Sequence, residues 1–420
     1  MQESKLDNEL RVVSHFMPNR TSVSLGLWVK VGGRYERKEE NGISHFIEHI
    51  VFKGSEKRSC TQIKQAIEGV GGNLNAFTSE EFTTFLARIP HQYLTRALDV
   101  LSDMVLNPLF RQEDIEREKI VICEEIKMYL DLPTHYVHFL LNQLLWPNHP
   151  LGRFLAGSFE SVKSINREKL CDYHREHYFP QNIVLAVAGN LKHKRVVEEA
   201  ERCFSSFTNR RKKEFMPALN NQREPRFNFL FRQTAQTHLC LGFLSFPRAH
   251  RWHYTLKLLD VILGANMSSR LYQEVREERG LVYEISSHTQ EFQDTGVFSI
   301  SAGVEKRNLV QTLKVIKEQL ERIKEEKIGE EEIERAKEFM RGQLMLGLEN
   351  TNNYMLSIGE ELITLDRLFS PSRILKEIER ISEKDLQEVS RNIFQRERLN
   401  LAVIGEIEKK EEEKIVELLS

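Results

Sequence analysis

Residues 182–190 read NIVLAVAGN, and residues 398–406, an offset of 216 positions, read RLNLAVIGE. Each is a short apolar run closed by glycine, Gly189 in one and Gly405 in the other, as a buried strand leading into a turn requires. The same offset aligns the opposite ends of the two halves, where Leu25-Gly26 in SVSLGLWV falls on Leu241-Gly242 in HLCLGFLS. It also aligns Ile165, Leu170 and Tyr178 with Ile381, Leu386 and Phe394. Two ends in one register predict a duplicated unit with almost no net insertion between the copies. Asn209–Phe227 (NRRKKEFMPALNNQREPRF) is charged, amide-rich and carries two prolines, so it reads as a linker. The expected organisation is therefore a domain over 1–208, a linker over 209–227 and a homologous domain over 228–420. Each half mixes alternating strands with helical stretches, without the regular strand-helix-strand beat of a parallel sheet. The expected class is α+β, with a mainly antiparallel sheet and packed helices in each domain.

The copies differ where the chemistry is. Residues 45–49 read His-Phe-Ile-Glu-His, the H-x-x-E-H order of an inverted zinc signature. On a helix, Ile43, Phe46, Ile47, Ile50 and Val51 fall within an arc of about 140° and form a core face. His45, Glu48 and His49 fall on the opposite side, where two histidines four apart can share a metal. Glu48 lies between them, placed to act on a metal-bound water. Asn41 is the expected N-cap and Gly54 the expected stop. Shifted by 216, His45, Glu48 and His49 become Val261, Gly264 and Ala265. The second domain thus repeats the architecture without the ligands.

Two histidines leave a catalytic zinc short of a third protein ligand. Residues 112–130 (QEDIEREKIVICEEIKMYL) form a second, acidic helix that includes Glu118, Glu124 and Glu125, and its core face is Ile115, Ile122, Ile126 and Tyr129. Glu118 and Glu125 lie two turns apart on one face, and Glu124 sits about 100° from Glu125. Further on, Asn73–Ile89 follows Gly69, Gly71 and Gly72, and Phe85, Ala87 and Ile89 alternate as in a strand. In the second half, SSRLYQEVREERGLVYEIS carries Arg270, Arg276 and Tyr283, with Leu271 and Val275 as core positions and Gly280 as a helix end.

Composition narrows the remaining classes. A chain of 420 residues with 40% hydrophobic content is long enough for two cores. A net charge of −2 gives no pull toward nucleic acid or anionic membrane, and the basic run Arg210–Lys213 is confined to the linker. Five scattered cysteines without a Cys-x-x-Cys pair point to a reducing compartment and away from a thiolate zinc site. MQESKLDNEL has no apolar signal core, and stretches such as Ile183–Ala188 are too short to span a bilayer. The expectation is a soluble, cytoplasmic protein without nucleic-acid or membrane partners.

HFIEHIVFKGS, GGNLNAFTSEEFTTF and VICEEIKMY together resemble the pitrilysin/insulysin family of zinc metallopeptidases, in particular its mitochondrial-processing-peptidase-β-like and bacterial processing-protease-like branch. The resemblance spans essentially the whole chain. It implies one zinc ion per chain held by His45, His49 and Glu125, with Glu48 as general base toward the zinc-activated water and Glu118 assisting. It implies that Asn75, Ala76 and Phe77 contact an extended peptide, and that Arg276 and Tyr283 grip substrate, with Arg270 the competing arginine. Insulysin-like relatives close four such domains around a chamber in one chain; two copies of this chain restore four, so the expected assembly is a homodimer acting on peptides or unfolded segments. Some members of the family are instead catalytically silent scaffolds or partner subunits, which is the alternative reading.

Overall fold

The computed structural model describes residues 1–419 and divides into two units. The first comprises Met1–Lys127, Arg153–Met216 and Met345–Leu368; the second comprises Met128–Gly152, Pro217–Leu344 and the chain from Phe369 onward. The sheet of the first unit contains β1 (Gln2–Lys5), β2 (Arg11–Phe16), β3 (Ser22–Val29), β4 (Asn73–Thr78), β5 (Thr83–Pro90) and β6 (Ile183–Gly189), in the order β1-β2-β6-β3-β5-β4. The second sheet contains β7 (Arg226–Phe231), β8 (Thr237–Ser245), β9 (Val282–Glu291), β10 (Gly296–Val304) and β11 (Leu399–Gly405), in the order β7-β11-β8-β10-β9. Each sheet holds one parallel pair, β2 with β6 and β7 with β11, and is otherwise antiparallel.

The duplication is plainest in the elements toward the end of each half. An offset of 216 carries β6 onto β11, the helix Arg167–His177 onto Glu383–Ile393, and the helix starting at His193 onto the one starting at Lys409. β6 and β11 are buried along their whole length, which is why each reads as an unbroken apolar run. Leu185 and Val187 face the helical core, while Val184, Ala186 and Ala188 pack on the other face.

What covers that other face departs from the contiguous division at 1–208 and 228–420. In the first unit it is the helix Thr351–Leu365, whose Tyr354, Met355, Ile358, Leu362 and Ile363 pack on Val13, Trp28, Val184, Ala186 and Ala188. In the second it is the helix Pro133–Leu145, whose Val137, Leu140, Leu141 and Leu145 pack with Cys240, Leu244, Ala402 and Ile404. The two halves of the sequence have exchanged equivalent helices. A periodic pattern says which face of a helix is apolar but not which sheet receives it. The linker also ends earlier than expected, since Arg226 and Phe227 already belong to β7.

The exchange explains the Leu-Gly pair that marks both halves. A Cβ on Gly26 would stand 2.8 Å from Met355 Sδ, and one on Gly242 would stand 2.7 Å from Leu141 Cδ2. Glycine in the central strand is what lets the covering helix approach. From the helix side, a Cβ on Gly359 would lie 2.1 Å from Trp28 Nε1. Helical Gly→Ala ordinarily gains up to about 1 kcal/mol; at Gly359 overpacking reverses the sign. Gly359→Ala should lose about 1–3 kcal/mol in urea unfolding. Gly342→Ala, in the helix Glu330–Gly347 with open space around it, should be neutral or stabilising. Equal behaviour of the two variants would contradict this packing.

The five cysteines are all unpaired. Among the described residues no helix is long and apolar enough to cross a membrane.

Candidate metal centre

The helix Ile43–Ile50 buries Ile43, Phe46, Ile47 and Ile50 against the core, as its periodicity predicts. Its start differs from expectation. Asn41 is not the cap; Gly42 is, at φ 92, and a Cβ there would meet Ala156 O at 2.6 Å. The capping oxygens come from Glu36, six residues upstream. Glu36 Oε2 accepts from the Gly42 amide at 2.7 Å and from Asn41 Nδ2 at 3.2 Å, and Oε1 accepts from the Ser44 amide at 2.8 Å. A carboxylate there satisfies free amides and complements the helix dipole. Burial pushes the Glu36 carboxyl up to about 7, against the pull of those two amides.

The acidic helix Gln112–Asp131 docks through Ile115, Ile122 and Ile126 and brings two glutamates to the histidines. Glu125 Oε1 is 3.7 Å from His45 Nε2, and its Oε2 is 3.4 Å from His49 Nε2. One ligand atom from each of His45, His49 and Glu125 lies within 4.8 Å of the other two. A tetrahedral zinc with bonds of about 2.0–2.2 Å separates its ligand atoms by about 3.3–3.6 Å. These residues therefore fit zinc in both chemistry and spacing. Glu124 points elsewhere: it is exposed and pairs with Lys127 at 2.6 Å. Glu125, the glutamate that the resemblance and its seven-residue spacing favour, is the one beside the histidines.

Glu118 is buried behind this group. Its Oε1 is 2.9 Å from His49 Nδ1, and Lys53 Nζ is 2.7 Å from its Oε2. A carboxylate on Nδ1 holds the proton there and leaves Nε2 as the ligand nitrogen. His45 lacks the equivalent support, since its buried Nδ1 has no partner. Burial and the neighbouring His49 lower His45 to about 4. Burial, the largest single influence on His49, also lowers it, but hydrogen bonds with Glu118 and Glu125 outweigh it and push His49 up to about 9. Glu125 is held below its usual range, chiefly by its hydrogen bond with His49. Burial pushes Glu48 up, opposed by a hydrogen bond from Thr78 Oγ1 to Glu48 Oε2 of 2.7 Å.

Asn75, Ala76 and Phe77 lie on β4, the free edge of the first sheet. The Ala76 amide is held by Asn75 Oδ1 at 2.9 Å, and Phe77 stands edge-on to Trp28 and Phe82. In the second unit, Arg270 is committed to Glu332 through contacts of 2.8 and 2.7 Å. Arg276 instead stacks 4.7 Å over Tyr272 and 5.4 Å over Tyr283, which is 76% exposed. Arg276 sits in a π-helical turn, Tyr272–Glu277, and Tyr283 at a β-bulge where the β9–β10 register shifts. Both irregularities re-aim side chains and recur at functional sites. At Gly264, 216 positions after Glu48 and just past the end of the helix His253–Leu263, a Cβ would meet Ser287 N at 2.5 Å, so glycine lets that main chain approach.

Sequence reasoning missed Glu36, Lys53 and Thr78. Glu36 lies in a charged loop without periodicity, and its cap is a non-local contact that no spacing announces.

Comparison with known proteins adds the following. A family model described as Insulinase (Peptidase family M16) matches residues 11–158, and one described as Peptidase M16 inactive domain matches residues 164–340. The chain is 36% identical over 389 residues to YmxG, an uncharacterized zinc protease of Bacillus subtilis, covering 92% of this chain and 94% of that one. It is 33% identical over 417 residues to an uncharacterized zinc protease of Streptomyces coelicolor, covering 98% and 91%. The structure of a protease from Helicobacter pylori superposes with a TM-score of 0.91 at 22% identity, covering 96% of this chain and 99% of that one, a likeness of fold.

Proposed function

The chain belongs to the insulinase family, peptidase family M16, and on that footing we propose that it is a zinc-dependent endopeptidase acting on extended peptides or unfolded segments. The observation that carries the proposal is the His45, His49 and Glu125 group, with Glu48 on the same helix face. The names of the relatives, zinc proteases, support it. In this reading His45, His49 and Glu125 hold the ion, which when bound supplies a Lewis acid and lowers the pKa of a coordinated water toward ~7. Glu48 takes the proton of the attacking water and hands it to the departing amine. Glu118, steadied by Lys53, orients His49. β4 offers its free edge to an extended peptide, a mode of binding tolerant of sequence. The test is cleavage of a peptide library by the purified chain: chelator should abolish it and added zinc restore it. Cleavage indifferent to chelator would refute a zinc mechanism.

We infer a homodimer in which Arg276 and Tyr283 serve the zinc site of the other chain. The support is the two-unit size, the commonness of twofold association, and the irregular backbone that presents both residues. Mixing inactive Glu48→Gln and Tyr283→Phe chains under subunit exchange should restore one intact site per hybrid dimer. Confirmed exchange with no recovered activity would remove the trans arrangement.

A further inference from the structure

We propose that Thr78 is a positioning residue: it fixes the general base Glu48 and ties its aim to the edge strand that receives the peptide. This rests on the endopeptidase reading above. Thr78 is the last residue of β4 and pairs with Thr83 of β5. Its hydroxyl donates to Glu48 Oε2 at 2.7 Å. That bond limits the rotation of the Glu48 carboxylate and commits Oε2, so that Oε1 is available for the proton.

The donor is itself well fixed. Threonine is stiff at χ1, so the backbone of β4 sets the direction of its hydroxyl. Phe77, the preceding residue, stands edge-on to Trp28 and Phe82. Beyond Thr78, the Ser79 amide bonds Phe82 O at 2.8 Å, and the Ser79 carbonyl accepts from the Gly33 amide at 3.3 Å, while the Glu80 carbonyl accepts from the Arg34 amide at 2.8 Å. The end of β4 is thus held to the strand beside it and to the loop that precedes the metal helix. On that edge the Ala76 amide meets only a local side-chain acceptor, Asn75 Oδ1 at 2.9 Å, which a peptide carbonyl can replace. A peptide added to β4 would run along the strand whose last residue holds the base.

The test compares Thr78→Val, which keeps the shape, the β-branch and the amide but loses the hydroxyl, with Thr78→Ser, which keeps the hydroxyl. Zinc content, affinity of zinc-stripped protein for an extended peptide, KM and kcat are measured for each. Thr78→Val should bind zinc and peptide as the parent does and keep KM within about threefold, while kcat falls about 10- to 100-fold. Thr78→Ser should recover most of that loss. A Thr78→Val kcat within about twofold of the parent, a loss confined to KM or peptide affinity, or a Thr78→Ser protein as slow as Thr78→Val would overturn the proposal. A parent chain without chelator-sensitive cleavage would overturn the endopeptidase reading itself, and this inference with it.

Discussion

Glu48→Gln should retain its zinc and lose about 10²-fold or more in turnover. Glu48 is absent from the close group of His45, His49 and Glu125, and its Oε2 is engaged by Thr78. The amide keeps the shape of the carboxylate and can still meet Thr78, but it cannot accept a proton. Metal content should therefore be unchanged while the chemical step fails. Loss of zinc in this variant would make Glu48 a ligand; near-normal turnover, with contaminating peptidase excluded, would take the base role from it.

Neither half of the chain should fold alone. A fragment of residues 1–208 lacks the helix Thr351–Leu365 and leaves Val13, Trp28, Val184, Ala186 and Ala188 open to water. Burying five large apolar side chains from that helix is worth on the order of 10 kcal/mol, against about 5–15 kcal/mol for the net stability of a whole domain. A fragment starting at 228 loses Val137, Leu140, Leu141 and Leu145 in the same way. Each fragment alone should lack a cooperative unfolding transition. A chain nicked within 209–215 should stay together until it is denatured, because each unit contains segments from both sides of the nick. Cooperative unfolding of the 1–208 fragment by itself would contradict the exchange.

Much of this was legible in the sequence, for identifiable reasons. The H-x-x-E-H spacing fixes which side chains share a helix face, so His45, Glu48 and His49 could be read from periodicity alone. Gly26 and Gly242 preserved the register of the duplication because a side chain at either would strike the covering helix. The destination of that helix was not legible, since one apolar stripe fits either of two related sheets. Nor were Glu36 and Thr78: Glu36 acts through contacts with residues five to eight positions on and Thr78 through one with a residue 30 positions back, and neither leaves a periodic pattern. Glu125 was preferred to Glu124 on the family resemblance and its seven-residue spacing from Glu118; in the structure Glu124 meets Lys127 and Glu125 the two histidines.

The central claim is a zinc centre built from His45, His49 and Glu125. It is tested most directly by zinc bound per chain at equilibrium in the parent, Glu124→Gln and Glu125→Gln proteins. One zinc in the parent and in Glu124→Gln, with most of it lost from Glu125→Gln, is the expected result. Full zinc retention by Glu125→Gln, or its loss from Glu124→Gln, would contradict the centre described here.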